Sequence, residues 1–277
     1  MSPSDENCEW PQGKRKRGAL GGHTGNSTFG CRGDRWGGSW LAGGILCLFA
    51  AMAGAGGAAA PVPRRETVIL LHGLCRSSGS MATMARELEK AGFAVVNFDY
   101  PSRTASIEEL ASAVVEQALA RVTVACGERV HFVTHSLGGI LVRQYLRRNR
   151  IPNLGRVVML GPPNQGSEVV DRLGKYGFFA WVNGPAGREL GTTVGSVPIN
   201  LGPVDFELGV VAGDRSINLI NSWIIPGADD GKVSIARTKV EGMRDHVVVH
   251  VSHPFIMKNQ QVIAQTIQFL REGRFAR

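Results

Sequence analysis

Cysteine is scarce in most of this chain. Of five in all, only Cys75 and Cys126 lie beyond residue 60, too few for a disulfide framework. Cys75 follows one strand-like run and Cys126 precedes another. If those strands are parallel, the two sulfurs sit at opposite ends of a sheet, out of disulfide reach, so two free thiols are expected. No C-x-x-C pair or comparable ligand cluster is read in residues 61–277, and neither a metal nor a cofactor is expected. Long apolar runs are missing too. The apolar centre at 41–53 has 13 residues, short for a comfortable membrane span. Acidic residues are outnumbered, with 25 Lys+Arg against 19 Asp+Glu over residues 61–277. The cluster of Arg143, Arg147, Arg148 and Arg150 reads as a solvated helix face, and no nucleic-acid partner is expected from so mild an excess.

The 277 residues leave room for one or two domains, and the first 60 differ from the rest. They carry "KRKR" at 14–17, much Gly and Ser, and then "WLAGGILCLFAAMAGAGGAAAP" at 40–61. A basic arm, an apolar centre and a small-residue tail with A-x-A options, such as 58–60, make the pattern of a signal peptide. Export, to the periplasm or outside the cell, is the expectation. The arm is long for such a signal, so membrane association through a retained anchor at residues 41–60 is the alternative. The division is therefore 1–60, a basic arm plus a signal-peptide-like or anchor segment, and 61–277, the folded domain.

Within 61–277, near-continuous apolar runs alternate with amphipathic stretches. "TVILLHG" (67–73), "AVVNFDY" (94–100), "VHFVTH" (130–135), "RVVMLGPP" (156–163), "FELGVVAG" (206–213) and "HVVVHVSH" (246–253) read as six strands. Between them "SMATMARELEKAG" (80–92), "SIEELASAVVEQALARV" (106–122) and 137–148 read as helices, the second opening with Ser106 and Glu109 at capping-box spacing. A last helical pattern covers 259–270. This is the signature of an α/β fold, a mainly parallel sheet of about six strands with helices on both faces. Functional groups of such sheets gather beyond the carboxyl ends of the strands. Residues 162–205 form the one long insertion, a candidate cap.

A buried strand stops dead at Ser136, and Gly138 and Gly139 follow. A serine on so sharp a strand-to-helix turn stands clear of the backbone, and the turn needs small neighbours. The Leu137 N–H, at the helix N-terminus, is placed to donate to a developing oxyanion. Thr134 stands where the G-x-S-x-G motif has its first glycine. A serine nucleophile needs a base reaching the same sheet edge. His246 precedes the last strand and belongs at the wrong end, His250 reads as a core or face residue within it, and His253 follows it. The carboxylate partner is Asp229 or Asp230 in "PGADDGKVS", or Asp214 directly after the fifth strand.

The order Ser…Asp…His, with "ILLHGL", "HFVTHSLGGILVR", "VVMLGPPNQGSEVVD", "DDGKVS" and "VSHPFIM", resembles the α/β-hydrolase superfamily. The chain is most similar there to small bacterial class 2-type lipases and esterases and to GPI-inositol-deacylase-like esterases, over residues 65–272. The resemblance implies an α/β-hydrolase fold, Ser136 as nucleophile, Asp230 as acid because Gly231 and Val233 follow it, and His253 as base. His72-Gly73 matches the family's turn after the first strand, which implies the Leu74 N–H as a second oxyanion donor beside Leu137. His72 itself is expected to hold that loop.

The reaction expected is hydrolysis of a carboxylic ester, with an ester or lipid-like small molecule as substrate. An acyltransferase or thioesterase would use the same three residues. A non-catalytic, membrane-anchored binding protein of the same fold is the remaining alternative. "GFFAWVNGPAG" (177–187), in the insertion, reads either as an acyl-chain contact surface or as core completed by Phe178, Phe179 and Trp181.

Overall fold

A computed structural model describes residues 66–122, 128–217 and 219–277. The signal-peptide or anchor segment and Cys126 lie outside the described residues, and Cys75 is a free thiol.

Six strands form one sheet in the order β2-β1-β3-β4-β5-β6: β1 (Thr67–Leu71), β2 (Ala94–Phe98), β3 (Val130–His135), β4 (Leu154–Leu160), β5 (Leu208–Gly213) and β6 (Asp245–Val249). Every strand pairing is parallel. β1, β3 and β5 are buried throughout, which is why they read as unbroken apolar runs rather than as alternating ones. One face packs Val68, Leu70, Val133, Val158, Leu160 and Val211 against Met84 and Leu88 of α1 (Ala82–Lys90) and Val262, Ile263 and Phe269 of α9 (Gln260–Glu272). α2 (Ile107–Leu119) and α3 (Leu137–Leu146) pack on each other. The capping box at the start of α2 forms as the spacing predicts. The Ser106 hydroxyl accepts from the Glu109 N–H, and the Glu109 carboxylate accepts from the Ser106 N–H at 3.0 Å. Those bonds hold the Glu109 carboxyl below its usual range.

The insertion carries α4 (Glu168–Leu173), α5 (Gly177–Arg188) and α6 (Val197–Asn200). α5 is broken at Gly184 (φ 66°, ψ −171°), followed by Pro185. A Cβ on Gly184 would lie 2.1 Å from the Arg103 carbonyl oxygen, so the chain crosses the core loop there only as glycine. Two further ties fix the insertion. The Glu189 carboxylate accepts from the Ile107 N–H at 2.7 Å, at the first turn of α2. Arg143 donates to the Asn164 carbonyl at 2.9 Å and to the Gly202 carbonyl at 2.6 Å. Arg143 is thus not on a solvated face with Arg147, Arg148 and Arg150. It points inward and is buried, and burial pulls its guanidinium down to about 10. The reading of Phe178 and Trp181 as core is also overturned, since both are exposed on α5. Two short helices, α7 (Leu219–Ile224) and α8 (Ile235–Thr238), bridge β5 and β6.

Candidate active site

Ser136 sits between β3 and α3 with φ 51° and ψ −116°, a left-handed φ that costs a non-glycine residue of order 1–3 kcal/mol. Two glycines make the turn feasible. A Cβ on Gly138 would lie 2.7 Å from the Leu71 carbonyl oxygen, and one on Gly139 would lie 2.9 Å from Met159 Sδ. The latter would also come 3.2 Å from Thr134 Oγ1. Thr134, at the position where the motif has its first glycine, is therefore accommodated by the missing side chain one helical turn later. The Ser136 N–H donates to the Leu160 carbonyl at 2.9 Å, which ties the turn to the end of β4.

Gly161, directly after β4, has φ 55°, and a Cβ there would lie 3.0 Å from Asp230 Oδ2 and 3.1 Å from His253 Nδ1. A strained serine turn and an Asp–His pair thus meet at one strand end. His253 Nδ1 and Asp230 Oδ2 are 2.7 Å apart, and the His253 N–H donates to the Asp230 carbonyl at 2.8 Å. Both side chains are buried, with 9% of His253 and none of Asp230 exposed. Asp230 Oδ1 accepts from the N–H groups of Lys232 at 3.0 Å and Val233 at 2.9 Å. The turn that supplies those donors needs Gly231 at φ 96°, which gives the Asp-Gly-x-Val element its physical meaning. A Cβ on Gly213 would be 2.9 Å from Asp230 Cβ, so the aspartate rests on the ends of both β4 and β5.

The competing acids have other partners. Asp229 accepts from the Gly231 N–H at 2.7 Å and the Ser222 hydroxyl at 3.0 Å. Asp214 lies 2.8 Å from His250 Nδ1. His250 is neither core nor within the strand: β6 ends at Val249, and the ring stands exposed beyond it. The strand stops because Val251 N–H turns back onto the Val249 carbonyl at 2.8 Å. His246 lies at the opposite end of β6, bonded to the Thr238 hydroxyl at 3.0 Å.

His72 is fully buried and both ring nitrogens are used. Nδ1–H donates to the Gly73 carbonyl at 2.9 Å, and Nε2 accepts from the Tyr100 N–H at 3.3 Å. The ring stacks on Tyr100, centroid to centroid 4.1 Å, while the Tyr100 hydroxyl donates to the His72 carbonyl at 2.6 Å. Burial lowers the His72 pKa and outweighs the bond to Gly73 and the Asp99 charge. This histidine holds the loop after β1. Gly73 is pressed against the site, since a Cβ there would lie 3.2 Å from Ser136 Cβ. Among the described residues, neither the Leu74 nor the Leu137 N–H enters a turn or loop hydrogen bond.

Two contributors are not singled out by the sequence pattern. Gly161 is one, read there only as the end of a strand. His135 is the other. Its ring lies 4.7 Å from that of His253, and among the described residues neither ring nitrogen has a partner in hydrogen-bond geometry. Burial drives its pKa well below the ordinary histidine value, and the neighbouring His253 adds to the push. Two adjacent imidazoles cannot both hold a proton cheaply, in keeping with a His135 ring held neutral. Its place immediately before the serine was the available signal. The H-x-x-x-H spacings at His131/His135 and His246/His250 run along or off strands, where positions four apart are about 13 Å distant.

The sequence profile described as Alpha/beta hydrolase family matches residues 68–213, a span that includes Ser136 and ends before Asp230 and His253. Among solved structures, the mature lipase BlEst2 of Bacillus licheniformis is 20% identical with a TM-score of 0.58, covering 76% of this chain and 94% of that one. Phospholipase PlaB from Legionella pneumophila is 19% identical with a TM-score of 0.60; the match covers 75% of this chain but only 58% of PlaB. The metagenomic carboxyl esterase MGS0156 is 16% identical with a TM-score of 0.54, covering 75% of this chain and 71% of that one. At such identities the likeness is one of fold. A comparison with curated proteins found no match. With its parallel sheet, its serine turn after β3 and a family profile spanning 68–213, the chain belongs to the alpha/beta hydrolase family.

Proposed function

We propose that the protein hydrolyses carboxylic esters through an acyl-enzyme on Ser136. The observation that carries this reading is the buried Asp230–His253 pair, 2.7 Å apart, packed with Gly161 against the strand end that anchors the Ser136 turn. The Ser136 hydroxyl attacks the ester carbonyl and His253 takes its proton. Asp230 keeps the Nδ1–H tautomer and stabilises the imidazolium as it forms. The Leu74 and Leu137 N–H groups receive the tetrahedral oxyanion, each worth on the order of 10²–10³ in rate. The imidazolium then protonates the leaving alkoxide. Water enters, gives a proton to His253 and attacks the acyl carbon; the imidazolium returns that proton to the Ser136 oxygen as its bond to the acyl carbon breaks and the acid leaves.

The lipase and esterase neighbours support this chemistry by analogy of fold. The test is a series of soluble esters of increasing acyl length. Ser136→Ala should abolish turnover while thermal unfolding stays cooperative. Undiminished turnover in that variant would end the proposal. We further propose that residues 1–60 direct export, on the signal-like pattern of 40–61. A mature N-terminus between about residues 53 and 61 is expected; an intact Met1 on protein purified from its own cell would refute cleavage.

A further inference from the structure

The reacting groups do not account for α5. After the break at Gly184, Ala186 is fully buried, whereas the turns before it hold large aromatics in solvent. Tyr176 is 65%, Phe178 74% and Trp181 78% exposed, and the Phe178 and Trp181 rings lie 6.0 Å apart. Two aromatics standing in water on one short helix, with a third at its N-cap, are a costly arrangement for a surface with no partner.

The charges around them are mainly positive. Arg172 and Lys175 precede α5, Arg188 ends it, and Arg76 and Arg103 flank the loops beneath; all five are exposed. The acids of the same stretch are fewer, one of them ion-paired and two hydrogen-bonded. Glu168 pairs with Arg237 at 2.8 Å, Asp171 accepts from the Thr192 N–H at 2.9 Å, and Glu189 accepts from the Ile107 N–H at 2.7 Å. Five exposed cations against the two carboxylates of Asp171 and Glu189 leave the apolar strip with a net positive surround, complementary to a surface that is apolar inside and anionic at its rim.

α5 also touches the loop next to the proposed site. The Val182 carbonyl accepts from Cys75 Sγ at 3.3 Å and from Arg103 Nη1 at 3.1 Å, and a Cβ on Gly187 would lie 2.9 Å from Leu74 Cδ2. Leu74 is the residue to which a second oxyanion amide is assigned above. The aromatic surface therefore belongs to a helix that is fastened to one wall of the reaction centre.

We propose that α5 is an interfacial docking element that seats Phe178 and Trp181 in an anionic lipid bilayer and presents the neighbouring site to it. The surface contact stands independently of the chemistry; the corollary that the ester is drawn from that bilayer rests on the hydrolytic reading. The source is a lipid surface rather than a protein partner, because an exposed aromatic strip with a net positive surround matches the apolar interior and anionic face of a bilayer.

The test uses the full chain and phosphatidylcholine vesicles carrying brominated acyl chains, with and without phosphatidylglycerol. The difference in tryptophan emission between wild type and Trp181→Phe isolates Trp181 from the other four tryptophans. That difference should be quenched at least about twofold on anionic vesicles. The anionic surface should be preferred about tenfold or more, given several cations at the rim. The double variant Phe178→Ser/Trp181→Ser should bind such vesicles about tenfold more weakly. Equal quenching of wild type and Trp181→Phe would overturn the proposal, since another segment would then make the contact. So would equal binding to zwitterionic vesicles, or aromatics whose loss abolishes self-association of the chain instead. Since the readout is lipid contact and not turnover, its failure would leave Ser136 untouched, and a failed Ser136 assignment would leave the contact standing.

Discussion

Beyond the carboxyl edge of this sheet His72 and Asp99 stand 3.5 Å apart, and two other Asp–His pairs are closer, with nearly the same contact distance. Asp230 and His253 meet at 2.7 Å, Asp214 and His250 at 2.8 Å. Their surroundings differ. Asp230 is fully buried and His253 is 9% exposed, whereas Asp214 and His250 are 35% and 73% exposed. Asp230 also has two backbone donors on its other oxygen and glycines at the ends of β4 and β5 making room for it. Asp214 follows its strand at once, but its partner ring faces water, where such a pair contributes 0–1 kcal/mol. A contact distance does not make a functional pair. On the proposed reading the fixed rotamers and the excluded water matter more, because they hold the carboxylate aimed at the imidazole and unscreened.

The largest expected effect separates the two pairs directly. Asp230→Asn should lower kcat by about 10⁴, the cost of losing tautomer control in a well-studied serine hydrolase, with KM little changed. Asp214→Asn should stay within a few-fold of wild type. Steady-state kinetics on one soluble ester decides this; a large loss confined to Asp214→Asn would exchange the roles.

A smaller effect probes the packing that distinguishes the buried pair. Gly161→Ala brings a methyl to 3.0 Å from Asp230 Oδ2 at a φ of 55°. Displacing His253 by a fraction of an ångström to 1 Å should cost about 10² in kcat. Among the described residues no comparable glycine supports Asp214, so an equal loss from exposed substitutions around His250 would contradict the comparison.

The buried histidines should also set the acid response of the fold. His135 stays neutral in the folded protein because burial lowers its pKa, while the unfolded chain binds a proton near the ordinary value of 6.5. The unfolded state therefore binds more protons below that value, and stability falls as pH falls. The contribution is fully present above about pH 6.5 and should decline with a slope approaching about 1.4 kcal/mol per pH unit for this histidine. Denaturant unfolding from pH 7.5 to 5 should show it, and His135→Leu should flatten the slope. The smallest effect belongs to the exposed pair: His250→Gln should change stability by less than about 1 kcal/mol, read from the same unfolding curves.

Much of this was legible in the sequence. Buried parallel strands announce themselves as short unbroken apolar runs, and Ser106 with Glu109 marked a helix start that forms as expected. The Ser136 turn showed because only small residues can follow it. The expectation of Asp230 over Asp214 rests on the following Gly231 and Val233, and that turn places the N–H groups of Lys232 and Val233 on Asp230. What did not show depends on distant contacts. Arg143 sits among other arginines in sequence and is buried only because the insertion brings Asn164 and Gly202 over it. His250 continues an apolar alternation, yet the ladder ends one residue earlier. Phe178 and Trp181 have the composition of core; their exposure depends on which face of α5 the insertion turns inward.

The central claim is that one serine is made reactive by one of the two Asp–His pairs. A fluorophosphonate reporter, followed by peptide mapping, tests it most directly. The account predicts stoichiometric labelling of Ser136, slowed about 10³-fold or more by Asp230→Asn and left at the wild-type rate by Asp214→Asn. Labelling of another serine, or equal rates in the two aspartate variants, would contradict it.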